Sequence, residues 1–145
     1  MKKEIDYYNI TPEGLKIMVD MEKHINNVAL PSSLKELIKI RVSQINGCAF
    51  CLNMHSSDAK KSGETDQRIN CLSAWGDCEF YSDEEKAALL LAEHITLISE
   101  KRVPTSVYEE VSKYFTDEEY VNLVLCINQI NSWNRISISM GKSAK

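Results

Sequence analysis

The sequence predicts an all-α chain, a single-domain bundle of about seven helices, on three observations. Apolar residues recur at intervals of three and four, the spacing of a helix face. Hydroxyl residues followed three positions later by glutamate stand ahead of apolar runs, at Ser33–Glu36, Ser82–Glu85 and Thr116–Glu119, which is the pattern of a capping box. Only five glycines and three prolines interrupt the 145 residues, nearly all where a helix would end. No alternating apolar–polar run is long enough for a strand. No internal repeat, low-complexity tract or linker divides residues 1–145, so one domain is expected.

Each element follows from local signals. Thr11-Pro12 opens the first helix, a hydroxyl cap before proline at the first helical position, with Leu15, Met18, Met21, Ile25 and Val28 on one face. Ser33-Leu34-Lys35-Glu36 opens the second, whose Leu34, Leu37, Ile38 and Ile45 point one way until Asn46-Gly47 stops it. A third runs from about Cys48 to Gly63. Thr65 or Asp66 caps a short fourth through Ile69 and Leu72, ending near Trp75-Gly76. Ser82 opens an Ala/Leu-rich fifth towards Ser99, and Pro104 starts a sixth through Val107, Val111 and Tyr114. Thr116 opens the longest, reaching Ser139, roughly 35 Å at about 1.5 Å per residue.

Composition excludes several classes. A net charge of −4 argues against a nucleic-acid surface, which needs clustered Lys and Arg. No apolar stretch approaches the roughly 20 residues of a membrane span, and the charged start Met1-Lys2-Lys3-Glu4-Ile5-Asp6 is not followed by a signal-peptide core. The expected location is the cytoplasm. Five cysteines cannot all pair within one chain. In a reducing compartment a closely spaced pair is catalytic or metal-binding more often than structural. Cys48 and Cys51 form that pair, whereas Cys71, Cys78 and Cys126 read as buried, inert small hydrophobes.

The segment from Glu36 to His55 carries the chemistry. A helix beginning near Gly47 places Cys48 in its first turn, where unpaired N–H groups and the helix dipole favour a thiolate. Cys51 follows at i+3 and His55 four residues later, so all three share one stripe. Thiols react with peroxide as thiolates, and His55 can take up the proton near neutral pH. The resulting sulfenic acid condenses with a neighbouring thiol to a disulfide, which an external dithiol resets by exchange. Taken singly, these residues have structural readings. Glu36 serves as the capping partner of Ser33, His55 as a satisfied core or surface histidine, and CxxC as half of a zinc site lacking its other two ligands.

Glu36, eleven intervening residues, Cys48-x-x-Cys51, three residues and His55 resemble the signature of the alkylhydroperoxidase D-like (AhpD-like) proteins of the carboxymuconolactone decarboxylase superfamily. Arg41-Val42-Ser43-Gln44-Ile45-Asn46-Gly47, Met54-His55-Ser56, Ser73-Ala74-Trp75 and Asn131-Ser132-Trp133-Asn134-Arg135 extend the likeness over roughly residues 10–140. The resemblance implies an all-α fold associating as trimers or hexamers, with the dithiol near a subunit contact. It implies Cys51 as the peroxide-attacking thiol, Cys48 as its partner, and Glu36 and His55 as proton carriers. The helix dipole favours the thiolate at Cys48 instead, which leaves the roles of the two sulfurs open. It further implies a hydroperoxide substrate, no resident cofactor, metal or haem, and a small dithiol or a lipoyl- or thioredoxin-type protein as electron donor. One departure stands out: Phe50 occupies the position where characterised peroxidases of the group can carry a second histidine.

Three other functions are open to the same residues. A lactone decarboxylase has no use for a vicinal dithiol. A redox sensor or interaction module would oxidise without turnover. A zinc site would be structural. His24 and His94 read as incidental. Glu93 reads as a solvated residue, a partner of Arg135 or a site residue, and Trp133-Asn134-Arg135 as core packing with one ion pair or as pocket wall.

Overall fold

Helix α3 (Ser32–Asn46) carries apolar residues on two opposite faces, and a helix of that kind must be covered on both. In a computed structural model describing residues 3–145, its Leu34, Leu37, Ile38, Ile40 and Val42 are buried. It packs against α4 (Ala49–Lys61), α6 (Asp83–Thr96) and α9 (Asp117–Ser139). One face joins Ala88, Leu91, Leu123, Ile127 and Ile130 in the larger core. The opposite face puts Leu37 and Ile40 with Ala59, Leu72, Tyr81 and Leu89 in a second apolar cluster. Each fully enclosed Leu or Ile contributes about 1.5–3 kcal/mol, so α3 is the principal source of core stabilisation. Helix α2 (Pro12–Asn27) lies along α9. The side chain of Lys35, buried in α3, closes the end of α2 by donating to the carbonyls of Asn26 (3.2 Å) and Val28 (3.0 Å).

The described residues contain ten helical elements and no strand, three more than the seven expected. A one-turn helix α1 (Tyr7–Ile10), capped by the Asp6 carboxylate, precedes α2; four residues are too few to show a period. The helix expected to end near Trp75-Gly76 divides at Cys71 into α5 (Asp66–Asn70) and a 3-10 element (Leu72–Asp77) kinked at Ala74. The helix expected to reach Ser99 breaks at Leu97, leaving α6 and a short α7 (Ile98–Lys101). Helix α8 (Thr105–Ser112) begins after Pro104, as expected. Both capping boxes at Ser82 and Thr116 form in full, and Thr65 caps α5.

Ser33 does not cap its helix. Pro31, in an extended conformation, sets the entry, and α3 starts at Ser32. Ser33 and Glu36 therefore both lie inside the helix, and the Glu36 side chain is released to face α4. The stripe expected on α2 is also narrower than its spacing suggests, since Leu15 and Ile25 are buried but Met21 is exposed.

The junction between α3 and α4 is a tight reversal. Gly47 adopts φ 69°, a left-handed conformation that glycine takes without penalty. Its N–H donates to Gln44 O (3.3 Å), and the Cys48 N–H donates to Ser43 O (3.0 Å). A polar network fastens this turn to α9. The Asn46 amide donates to Asn131 Oδ1 (2.9 Å) and Asn134 Oδ1 (3.0 Å), and the Asn134 amide donates to Ser43 Oγ (2.9 Å). Asn131 in turn donates to Thr96 Oγ1 (3.0 Å) on α6.

Two stability changes are expected. Thr116→Ala removes the cap of α9 and costs about 1 kcal/mol, lowering Tm by about 3 °C. Asn134→Ala strips the buried Ser43 hydroxyl of its partner and Asn46 of one of two acceptors, costing about 1–3 kcal/mol. Thermal unfolding followed by circular dichroism measures both; an unchanged Tm for Asn134→Ala would contradict the role given to the network.

Candidate active site

Cys48 is the N-cap of α4, one residue ahead of the helix in which the sequence placed it. Cys48 and Cys51 are joined as a disulfide with their Cα atoms 5.3 Å apart. The Cys51 N–H donates to Cys48 Sγ at 3.3 Å, so the sulfur stands where a capping oxygen would, against the positive end of the helix. Both cysteines are buried, at 1% and 2% exposure.

His55 follows one turn beyond Cys51 and is also buried. Its Nδ1 lies 3.1 Å from Glu36 Oε2 on α3. Paired with a carboxylate, which only accepts, Nδ1 is the donor and Nε2 is the open nitrogen. The four residues singled out in the sequence, Glu36, Cys48, Cys51 and His55, are therefore gathered in one place by the α3–α4 reversal.

Three further residues join them: Lys39 and Glu22, which sequence reasoning missed, and Trp133, which it offered as pocket wall. The Lys39 ammonium donates to Glu22 Oε1 at 2.8 Å and stands 3.8 Å from Glu36 Oε1. The second Glu22 oxygen accepts from the Trp133 indole N–H at 3.1 Å. Burial by itself would push the Lys39 amine down, but the hydrogen bond and charge of Glu22, with Glu36 behind it, hold it above its ordinary range. Burial likewise opposes the Glu22 carboxylate, and Lys39 together with the Trp133 N–H outweighs it, keeping that group below the usual range. A lysine set among Leu37, Ile38 and Ile40 was the available signal, because a buried ammonium requires an anionic partner. Nothing in the local sequence pointed to Glu22, seventeen residues earlier.

These groups line a cavity of about 550 Å³. Tyr7, Tyr8, Val19, Met54 and Trp133 supply apolar wall, and Glu22, Lys39, Glu36 and His55 supply the polar part. Cys51 lines this space; Cys48 is not among its wall residues. Phe50 is, and the Lys142 ammonium sits 5.4 Å from its ring centre. The wall is thus aromatic with a cation over it where the resemblance allows a histidine.

Of the remaining candidates, all but Trp133 lie outside the cavity wall. His24 is exposed and outside the cavity wall, and His94 Nδ1 is 2.9 Å from Arg102 O. Glu93 is neither solvated nor paired with Arg135. It accepts from Arg41 Nε (2.9 Å) and Trp75 Nε1 (2.8 Å), tying α3 and the 3-10 element to α6. Trp133 packs on the core and lines the cavity as well, while Arg135 donates to Asn131 Oδ1 (3.1 Å). Cys126 is fully buried, and burial pushes its thiol up to about 12. Cys71 and Cys78, expected to be buried, are only partly so, because they stand at the two ends of the surface 3-10 element. Among the described residues, no three His, Cys, Asp or Glu side chains are grouped to hold a metal ion. No described helix is long and apolar enough to cross a membrane.

The model of the carboxymuconolactone decarboxylase family matches residues 12–94, more than half of the chain. The uncharacterized protein YdfG of Bacillus subtilis is 62% identical over 144 residues, covering 99% of this chain and 98% of its own length. A solved structure from Agrobacterium tumefaciens, a protein of unknown function proposed to be the antioxidant defence protein AhpD, has a TM-score of 0.96 at 34% identity over 99% of both chains. The debrominase Bmp8 has a TM-score of 0.81 at 19% identity, over 94% of this chain and 74% of its own, a likeness of fold alone. With family model, full-length relatives and helical architecture in agreement, the chain belongs to the carboxymuconolactone decarboxylase family and is an AhpD-like member of it.

Proposed function

We propose that this protein is a dithiol peroxidase that reduces hydrogen peroxide or organic hydroperoxides through Cys48 and Cys51. The observation that carries the reading is the position of Cys51. It lines the cavity, bonds to Cys48 behind it, and has the Glu36-oriented His55 one turn away. In the reduced protein His55 Nε2 takes the Cys51 proton, and the thiolate attacks the outer peroxide oxygen. The O–O bond breaks, Cys51 becomes the sulfenic acid, and the departing alkoxide leaves as alcohol once it receives a proton from His55. Cys48 Sγ then displaces hydroxide, which departs as water with the proton that Cys48 gives up, and the disulfide closes.

This division of labour also answers the pull of the helix dipole towards Cys48. A sulfur at the N-cap is a favoured thiolate, which suits it to two later steps. It attacks the sulfenic acid, and it leaves when an incoming thiol attacks Cys51 during reduction, since the lower-pKa sulfur departs faster. Cys51 faces the reactants, and Cys48 collects the charge. Two electrons and two protons per cycle come from an external donor, a small dithiol or a lipoyl- or thioredoxin-type protein, and sulfur alone carries the redox change. The resemblance further supports assembly of several copies of the chain.

Phe50, standing where the resemblance allows a second histidine, favours one second reading, a redox sensor whose disulfide forms but does not turn over. Steady-state peroxide consumption with a dithiol reductant separates the two. Cys51→Ser is expected to abolish turnover. Cys48→Ser should stop it after one event, leaving a Cys51 sulfenic acid that a dimedone-type probe labels. His55→Ala and Glu36→Gln are each expected to slow the wild-type rate by about 10²-fold or more. Stoichiometric disulfide formation without turnover under any reductant would establish the sensor. Turnover indifferent to either cysteine change would end the peroxidase reading, and lactone decarboxylation surviving loss of both cysteines would replace it.

A further inference from the structure

Lys39 is a buried charge with no structural need to be there. Its side chain is 5% exposed, and its neighbours Leu37, Ile38 and Ile40 are enclosed apolar residues. A leucine or methionine at this position would fill the space without desolvating an ammonium, and buried ion pairs are seldom better than apolar packing for stability alone. The position of its partners is informative. Lys39 stands between two carboxylates, hydrogen-bonded to Glu22 on α2 and within ion-pair distance of Glu36 on its own helix. Glu36 spends its other oxygen on His55, and Glu22 spends its own on Trp133. Indole, carboxylate, ammonium, carboxylate and imidazole thus run in one line to the wall that holds Cys51.

Without the ammonium, the half-buried Glu22 and Glu36 carboxylates would face each other as like charges with no cation between them, which disfavours the charged form of both. A proton on Glu36 turns that side chain into a donor and removes the acceptor that fixes His55 with Nε2 open. We propose that Lys39, anchored by Glu22, is a positioning residue of the active site, whose charge keeps Glu36 an acceptor for His55 and favours the thiolate of Cys51. This inference rests on the peroxidase reading only for the use made of that thiolate. Lys39 acts through Glu36 and His55. Other charged or titratable groups facing this cluster are Cys126 on α9 and Lys35 on α3, while Asp58, Lys23 and Lys142 line the same cavity.

A merely structural Lys39–Glu22 staple between α2 and α3 would predict something different. Breaking it from either side should loosen the protein alike and leave thiol ionisation unchanged. An electrostatic role predicts opposite signs, because Lys39→Met removes a positive charge and Glu22→Gln a negative one. The test is the pH dependence of Cys51 alkylation by iodoacetamide in the reduced protein, with the site identified by peptide mass mapping. Peroxide consumption is measured in parallel. Lys39→Met is expected to move the Cys51 profile upward by about half a pH unit or more, and Glu22→Gln to move it downward. Adding Glu22→Gln to Lys39→Met should bring it back towards wild type, and Lys39→Arg should preserve it. Should Lys39→Met not fold, the downward shift of Glu22→Gln and the unchanged profile of Lys39→Arg still decide the matter. A Cys51 profile that does not move in the folded variants, or that moves the same way in both, overturns the proposal. Opposite shifts in a protein that consumes no peroxide would uphold the role of Lys39 and remove the peroxidase reading instead.

Discussion

The contact between Glu36 and His55 exists because the chain reverses at Gly47 and lays α4 back along α3. That reversal requires a left-handed residue at position 47, and a network of Asn46, Asn131, Asn134 and Ser43 locks it onto α9. The turn therefore does two things with one set of hydrogen bonds. It pairs the Ser43 and Gln44 carbonyls at the end of a buried helix, and it delivers Cys48 to the N-cap of the next helix. The sulfur pair, the histidine and the acid inherit their geometry from this junction.

The cost of the site is borne by the core. Helix α3 carries Lys35, Lys39 and Ser43 into an otherwise apolar environment, and each is satisfied by a specific partner from α2 or α9. No buried side-chain nitrogen or oxygen among the described residues lacks a hydrogen bond. A polar network that is fully paired narrows the arrangements a core can adopt. The enclosure of the dithiol follows from the same packing, since both sulfurs are buried and only Cys51 lines the cavity.

The likeness to the Agrobacterium protein extends over the whole chain, whereas the debrominase shares the fold at low identity. A shared helical frame does not by itself fix an activity, which depends on the side chains of the site. In this chain the wall combines aromatic surface, from Tyr7, Tyr8, Phe50 and Trp133, with the charged side chains of Glu22, Lys39 and Glu36 and, beside them, Lys23, Asp58 and Lys142.

Helix content, the caps at Thr65, Ser82 and Thr116, and the spacing of Glu36, Cys48, Cys51 and His55 were all determined by the sequence, because each depends on residues within a few turns of one another. Local rules misjudged Ser33, where Pro31 moved the helix start and freed Glu36. They also missed the breaks at Cys71 and Leu97. Tertiary structure alone decided that Cys51, not Cys48, lines the cavity, that Glu93 meets Arg41 and Trp75, and that Glu22, Lys39 and Trp133 complete the site. Those contacts join residues as far apart as 22 and 133. Charges meet across such separations only after the apolar faces of α2, α3 and α9 have chosen their partners, and no spacing along the chain encodes that choice.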